Sequence, residues 1–153
     1  MNRAPRIAVT VAAAGLTATG IGAVAAPSAA AAPTTTLCSF TYPNPNLPLI
    51  WAESTASAIP TAPGKVTLRL TTDSRSFIGY SQQFRVTWAN LDTGFSGVAN
   101  TTARVVGSET ILSIPDVATA SGRVALVLGA MSTGTLNPNS VSTEDCSAEY
   151  TVP

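Results

Sequence analysis

Histidine is absent from this 153-residue chain, and much catalytic chemistry goes with it. Ser-His-Asp and Cys-His triads, His-ligated zinc and most imidazole acid–base chemistry need that ring, so all are excluded. Lysine occurs once, at Lys65, so a Ser-Lys dyad would have to use a residue at the head of an alternating, half-solvated run. Charged residues make up only 10% of the chain, and no Lys/Arg cluster occurs beyond the first six residues. Nucleic acid and anionic membranes are therefore poor partners. There are two cysteines, Cys38 and Cys146, and two distant thiols without histidine make no metal site. Beyond the N-terminal stretch no segment offers a sustained helical stripe.

What is present begins with an address. Arg3 and Arg6 precede an apolar run over 7–26 built of Ala, Val, Gly and Thr, followed by Pro27-Ser28-Ala29-Ala30-Ala31-Ala32. Basic, apolar and small segments in that order predict a secretory signal over 1–31, cut after Ala31. Arg3 and Arg6 are not adjacent, so no twin-arginine signal is read, and Thr-Thr-Leu before Cys38 does not suit a lipoprotein site. Removing 1–31 leaves six basic and eight acidic residues in one domain, 32–153, with no membrane span. In an exported chain the two cysteines predict one disulfide, two free thiols being the alternative.

The mature chain alternates with period two. In Lys65-Val66-Thr67-Leu68-Arg69-Leu70-Thr71 the apolar residues share one face, as do Phe84, Val86 and Trp88. Runs at 110–114 and 123–128 continue the pattern. Cys38, Phe40 and Tyr42 share a face near the start; Cys146, Ala148, Tyr150 and Val152 do so near the end. Such runs predict half-buried strands. Loop signals fill 43–48, 60–64, 72–76, 90–97 and 133–139. Short strands at this spacing predict antiparallel sheets packed as a sandwich or barrel.

Three of these runs resemble an immunoglobulin-like domain. Gly64-Lys65-Val66-Thr67-Leu68-Arg69-Leu70 is similar to its second strand and Val86-Thr87-Trp88 to its third, where a Trp enters the core. Leu112-Ser113-Ile114, Val117, Gly122 and Val124 resemble the corner leading to its sixth. Leu70 and Leu126 stand where the family often places core cysteines. The layout is also similar to small exported envelope antigens of Gram-positive bacteria. The resemblance implies an all-β, antiparallel immunoglobulin-like sandwich of about seven to nine strands, and binding or adhesion more than chemistry.

Two motifs invite a catalytic reading. Asp92-Thr93-Gly94 is the aspartic-protease triplet, but two carboxylates must share a proton there; no second triplet exists, so a homodimer with one Asp92 per chain would have to supply the other. Gly94-Phe95-Ser96-Gly97-Val98 misses the last glycine of a nucleophile elbow. Asn90, Asp92 and Gly94 instead predict a turn after Trp88. The spacing of the eight carboxylates marks no hydrolytic pair and no calcium loop, so no cofactor or metal is expected. Trp51, Phe77, Tyr80 and Phe95 fall in or beside loops and are the candidate ligand-binding residues. Thr67, Arg69 and Thr71, with Arg85 and Thr87, are candidates for a polar sheet face. The expectation is a secreted, non-catalytic binding protein of the cell envelope or exterior, taking an extracellular protein or polysaccharide. A carboxylate hydrolase using Asp92, or a structural subunit of a surface assembly, is the alternative.

Overall fold

The computed structural model describes residues 32–153; the expected export signal, 1–31, lies outside them. Eight strands form: β1 (Thr35–Pro43), β2 (Trp51–Ala62), β3 (Lys65–Asp73), β4 (Tyr80–Asn90), β5 (Ser96–Val105), β6 (Thr110–Ala118), β7 (Gly122–Thr133) and β8 (Val141–Val152). They build two four-stranded antiparallel sheets, ordered β1-β2-β3-β6 and β5-β4-β7-β8. The chain crosses between sheets from β3 to β4, from β5 to β6 and from β6 to β7. The domain is an all-β sandwich. No helix among the described residues is long and apolar enough to cross a membrane.

The alternation places the core where it was expected. Val66, Leu68, Leu70, Leu112 and Ile114 point inward from the first sheet, and Phe84, Val86, Trp88, Leu126 and Leu128 from the second. Each such side chain contributes on the order of 1.5–3 kcal/mol when withdrawn from water.

Two strands had no apolar alternation to announce them. Along β2 the inward positions are Ala52, Ser54, Ala56 and Ala58, all fully buried. Along β5 the residues opposite Trp88, Val86, Phe84 and Gln82 are Gly97, Ala99, Thr101 and Ala103. Small residues thus face large ones: Ala56 pairs with Leu70, Ala58 with Leu68, and Gly97 with Trp88. Close packing demands that exchange of volumes. The expected loop at 60–64 shrinks accordingly, since β2 runs on to Ala62 and only a tight turn through Gly64 precedes β3.

Cys38 and Cys146 form a disulfide with Cα atoms 6.5 Å apart. They belong to β1 and β8, edge strands of opposite sheets, so the bond closes one flank of the sandwich. The expected single polar sheet face is corrected by the topology. Thr67, Arg69 and Thr71 lie on the outer side of the first sheet, Arg85 and Thr87 on the outer side of the second, so the two groups face opposite ways.

Candidate functional site

Antiparallel strands gather their connections at two ends. One end carries the connections 44–50, 74–79, 106–109 and 134–140, and two asparagines tie them together. Asn44 is buried; its side-chain carbonyl accepts from the backbone N–H of Asn46 and Leu47, and its amide donates to Ser74 O at 3.3 Å. Asn46 spans three connections. Its Nδ2 donates to Gly79 O at 3.0 Å and to Ile78 O at 3.4 Å, while its Oδ1 accepts from Thr135 N at 2.8 Å and Leu136 N at 3.0 Å. The fourth connection joins through Ser74 N donating to Gly107 O and Gly107 N donating to Ser76 O. Loop backbone satisfied in this way is held, not floppy.

This fixed backbone displays apolar tips. Leu49 is 97% exposed, Phe77 87% and Leu136 67%. Each belongs to one of the three connections that Asn46 joins. Beside them Arg75 meets Glu53 at 3.5 Å and Asp73 at 3.7 Å. At the same end the Arg104 guanidinium lies against Gly79 and forms no ion pair with a described residue, so the apolar tips stand beside a free positive charge.

Beneath the loops lies a buried polar layer. Tyr42 Oη contacts Ser54 Oγ at 3.1 Å and Tyr80 Oη at 3.0 Å, and Ser54 Oγ contacts Thr72 Oγ1 at 2.8 Å. Thr72 donates to Gln82 Oε1 at 2.8 Å, and Gln82 Nε2 donates to Tyr42 Oη and to Ser132 Oγ. Six side chains from both sheets are thus mutually satisfied, which removes the penalty of burying them. Burial, then the Tyr42 hydrogen bond, push the Tyr80 hydroxyl well above the ordinary tyrosine pKa.

The four aromatic candidates do not converge. Trp51 opens β2 opposite Pro43, near the apolar tips, and is about half exposed. Phe77 is one of the tips. Tyr80 is corrected: it is fully buried, with its hydroxyl bound inside the polar layer, and touches no solvent. Phe95 is exposed at the opposite end, in the turn between β4 and β5. Sequence reasoning missed Leu49 and Leu136. Their signal was a bulky apolar residue among Pro and Asn, in Asn46-Leu47-Pro48-Leu49 and Thr135-Leu136-Asn137-Pro138, with no strand alternation to turn it inward.

Asp92 sits at that opposite end too, in a turn organised by Asn90. Asn90 Oδ1 accepts from the N–H of Asp92 and Thr93 at 3.0 Å, and its amide donates to the carbonyls of Thr119, Ala120 and Ser121. Asp92 in turn receives the Arg123 backbone N–H at 2.8 Å and the Arg123 guanidinium at 3.2 Å. The backbone hydrogen bond first, then the side-chain bond and charge of Arg123, hold its carboxyl below the usual range. A proton-sharing protease carboxylate needs another carboxylate beside it; Asp92 has an arginine. The expected turn is what Asn90, Asp92 and Gly94 make.

Comparison with known proteins adds no relative: no family model, no curated protein and no solved structure matches the chain.

Proposed function

We propose that this is a secreted, non-catalytic binding protein of the cell envelope or exterior, an immunoglobulin-like sandwich that grips a partner protein with one set of loops. The carrying observation is the display of Leu49, Phe77 and Leu136 on three connections locked by one asparagine. Large apolar groups held nearly bare in water mark contact sites, and a preformed backbone lowers the ordering cost of binding. Leucine beside phenylalanine favours an apolar protein cleft over a sugar, which is bound by flat aromatic stacking. The immunoglobulin-like part of the reading draws support from the pattern of sheet crossings, and β1 would then be an addition before the first strand. Export is supported by the basic, apolar and small run at 1–31 and by a disulfide, a bond that persists in oxidising compartments.

The test places a photo-crosslinking residue at Phe77 of the protein on intact producing cells. The reading expects one discrete adduct with another protein. That protein, once purified, should bind the wild type and lose at least about tenfold in affinity for the Leu49→Ser/Phe77→Ser/Leu136→Ser variant. An adduct with a second copy of this chain would support the surface-assembly reading instead. Polysaccharide adducts, or equal binding by the triple variant, would overturn the proposal.

A further inference from the structure

The outer face of the second sheet carries a second feature, away from the loops. Across its strands, Arg85 of β4 pairs with Gly129 of β7, and Gly129 pairs with Asp145 of β8. The next outward row is Gln83, Met131 and Thr143. Because Gly129 has no side chain, the sheet surface sinks there into an open hollow of about 350 Å³, lined by these residues and Glu144. At ~30 Å³ per water, that is room for a molecule of dipeptide size.

Nothing in the fold requires the glycine. Gly129 is not among the residues with positive φ, and a β-carbon there would meet no atom closer than 3.8 Å. Glycine weakens a strand interior, and one without a backbone reason marks a place where something approaches closely. The charges around it are arranged in the same sense. Arg85 stands on one wall and Asp145 on the other, and neither forms an ion pair with a described residue. Two strand spacings, roughly 10 Å between Cα atoms, separate the cation from the carboxylate.

We infer that the Gly129 hollow is a binding site for a small zwitterion, an amino acid or dipeptide with both ends free. Its carboxylate takes the two parallel N–H bonds of the Arg85 guanidinium, and its ammonium lies against Asp145. The chain between them crosses the glycine floor, with Gln83 and Thr143 offering hydrogen bonds and Met131 an apolar wall. Both charged ends are needed, because each would otherwise leave an unmatched charge on the face.

The test uses the isotope-labelled, oxidised protein and alanyl-alanine as probe, followed by amide chemical shifts. Saturable shifts at Gly129, Met131 and Asp145 in the millimolar range are expected. N-acetylation or C-terminal amidation of the probe should each weaken binding by about tenfold or more. Arg85→Gln and Asp145→Asn should do the same, and Gly129→Leu should abolish the shifts while the remaining spectrum stays in place. Absence of saturable shifts at tens of millimolar probe, equal binding of the blocked dipeptides, or undiminished binding to Gly129→Leu would each overturn the inference. Loop-tip binding is independent of all these outcomes.

Discussion

The Trp88 indole lies directly against Gly97. A β-carbon at Gly97 would stand 2.9 Å from Cζ2 and 3.0 Å from Cε2 of the ring. The two residues are cross-strand partners of β4 and β5, so neither can withdraw without loosening the ladder. Gly97→Ala should cost about 1–3 kcal/mol by overpacking, and Gly97→Val more. Urea unfolding followed by tryptophan emission measures both, and an unchanged midpoint would contradict the packing described.

In the buried polar layer Gln82 holds three partners, Thr72, Tyr42 and Ser132. Gln82→Leu strands Thr72, Tyr42 and Ser132 without their shared partner, and a loss of about 3 kcal/mol is expected. Denaturant titration at neutral pH gives the value.

Tyr80 predicts an alkaline limit. Its folded pKa is raised, chiefly by burial, so its contribution is whole below the unfolded value near 10 and falls as pH rises above it. Stability measured from pH 8 to 11.5 should decline more steeply in the wild type than in Tyr80→Phe. Parallel slopes would remove Tyr80 as the cause.

Asp92 acts at the other limit. Its lowered pKa means a contribution present above the ordinary carboxylate range and lost as pH falls through the lower folded value. Asp92→Asn should lower the melting temperature at pH 7 and have little effect well below pH 3. The same variant should retain whatever binding the loop tips provide, since Asp92 lies at the far end.

Reduction tests the flank. The disulfide links residues 108 apart in sequence, and the chain-entropy model gives roughly 4–5 kcal/mol for such a loop. Unfolding with and without reductant should differ by about that amount.

The strands that the sequence declared were those whose inward residues are large. Lys65–Asp73 and Tyr80–Asn90 alternate Val, Leu, Phe and Trp against polar residues, so both period and face were readable. Trp51–Ala62 and Ser96–Val105 supply the small halves of the same contacts, and Ala, Ser and Gly carry no hydrophobic period. Their role appears only once the partner strand is known. The site followed the same logic. Phe77 was visible as an aromatic in a loop, but Tyr80 was hidden by proximity: three residues on, the chain has re-entered β4 and the ring turns inward. Leu49 and Leu136 needed three-dimensional evidence, because only the hydrogen bonds of Asn46 bring their loops together.

Pro153 lies at the end remote from the apolar tips. Its carbonyl accepts from the Gly64 N–H at 2.8 Å and from Ser121 Oγ at 2.8 Å, beside the β2–β3 and β6–β7 turns. A tag, a fluorophore or a solid support joined there would stand the sandwich upright, with Leu49, Phe77 and Leu136 facing away from the attachment. Pro153 and the three apolar tips thus stand at opposite extremes of the sandwich, so an attachment at Pro153 would leave Leu49, Phe77 and Leu136 clear.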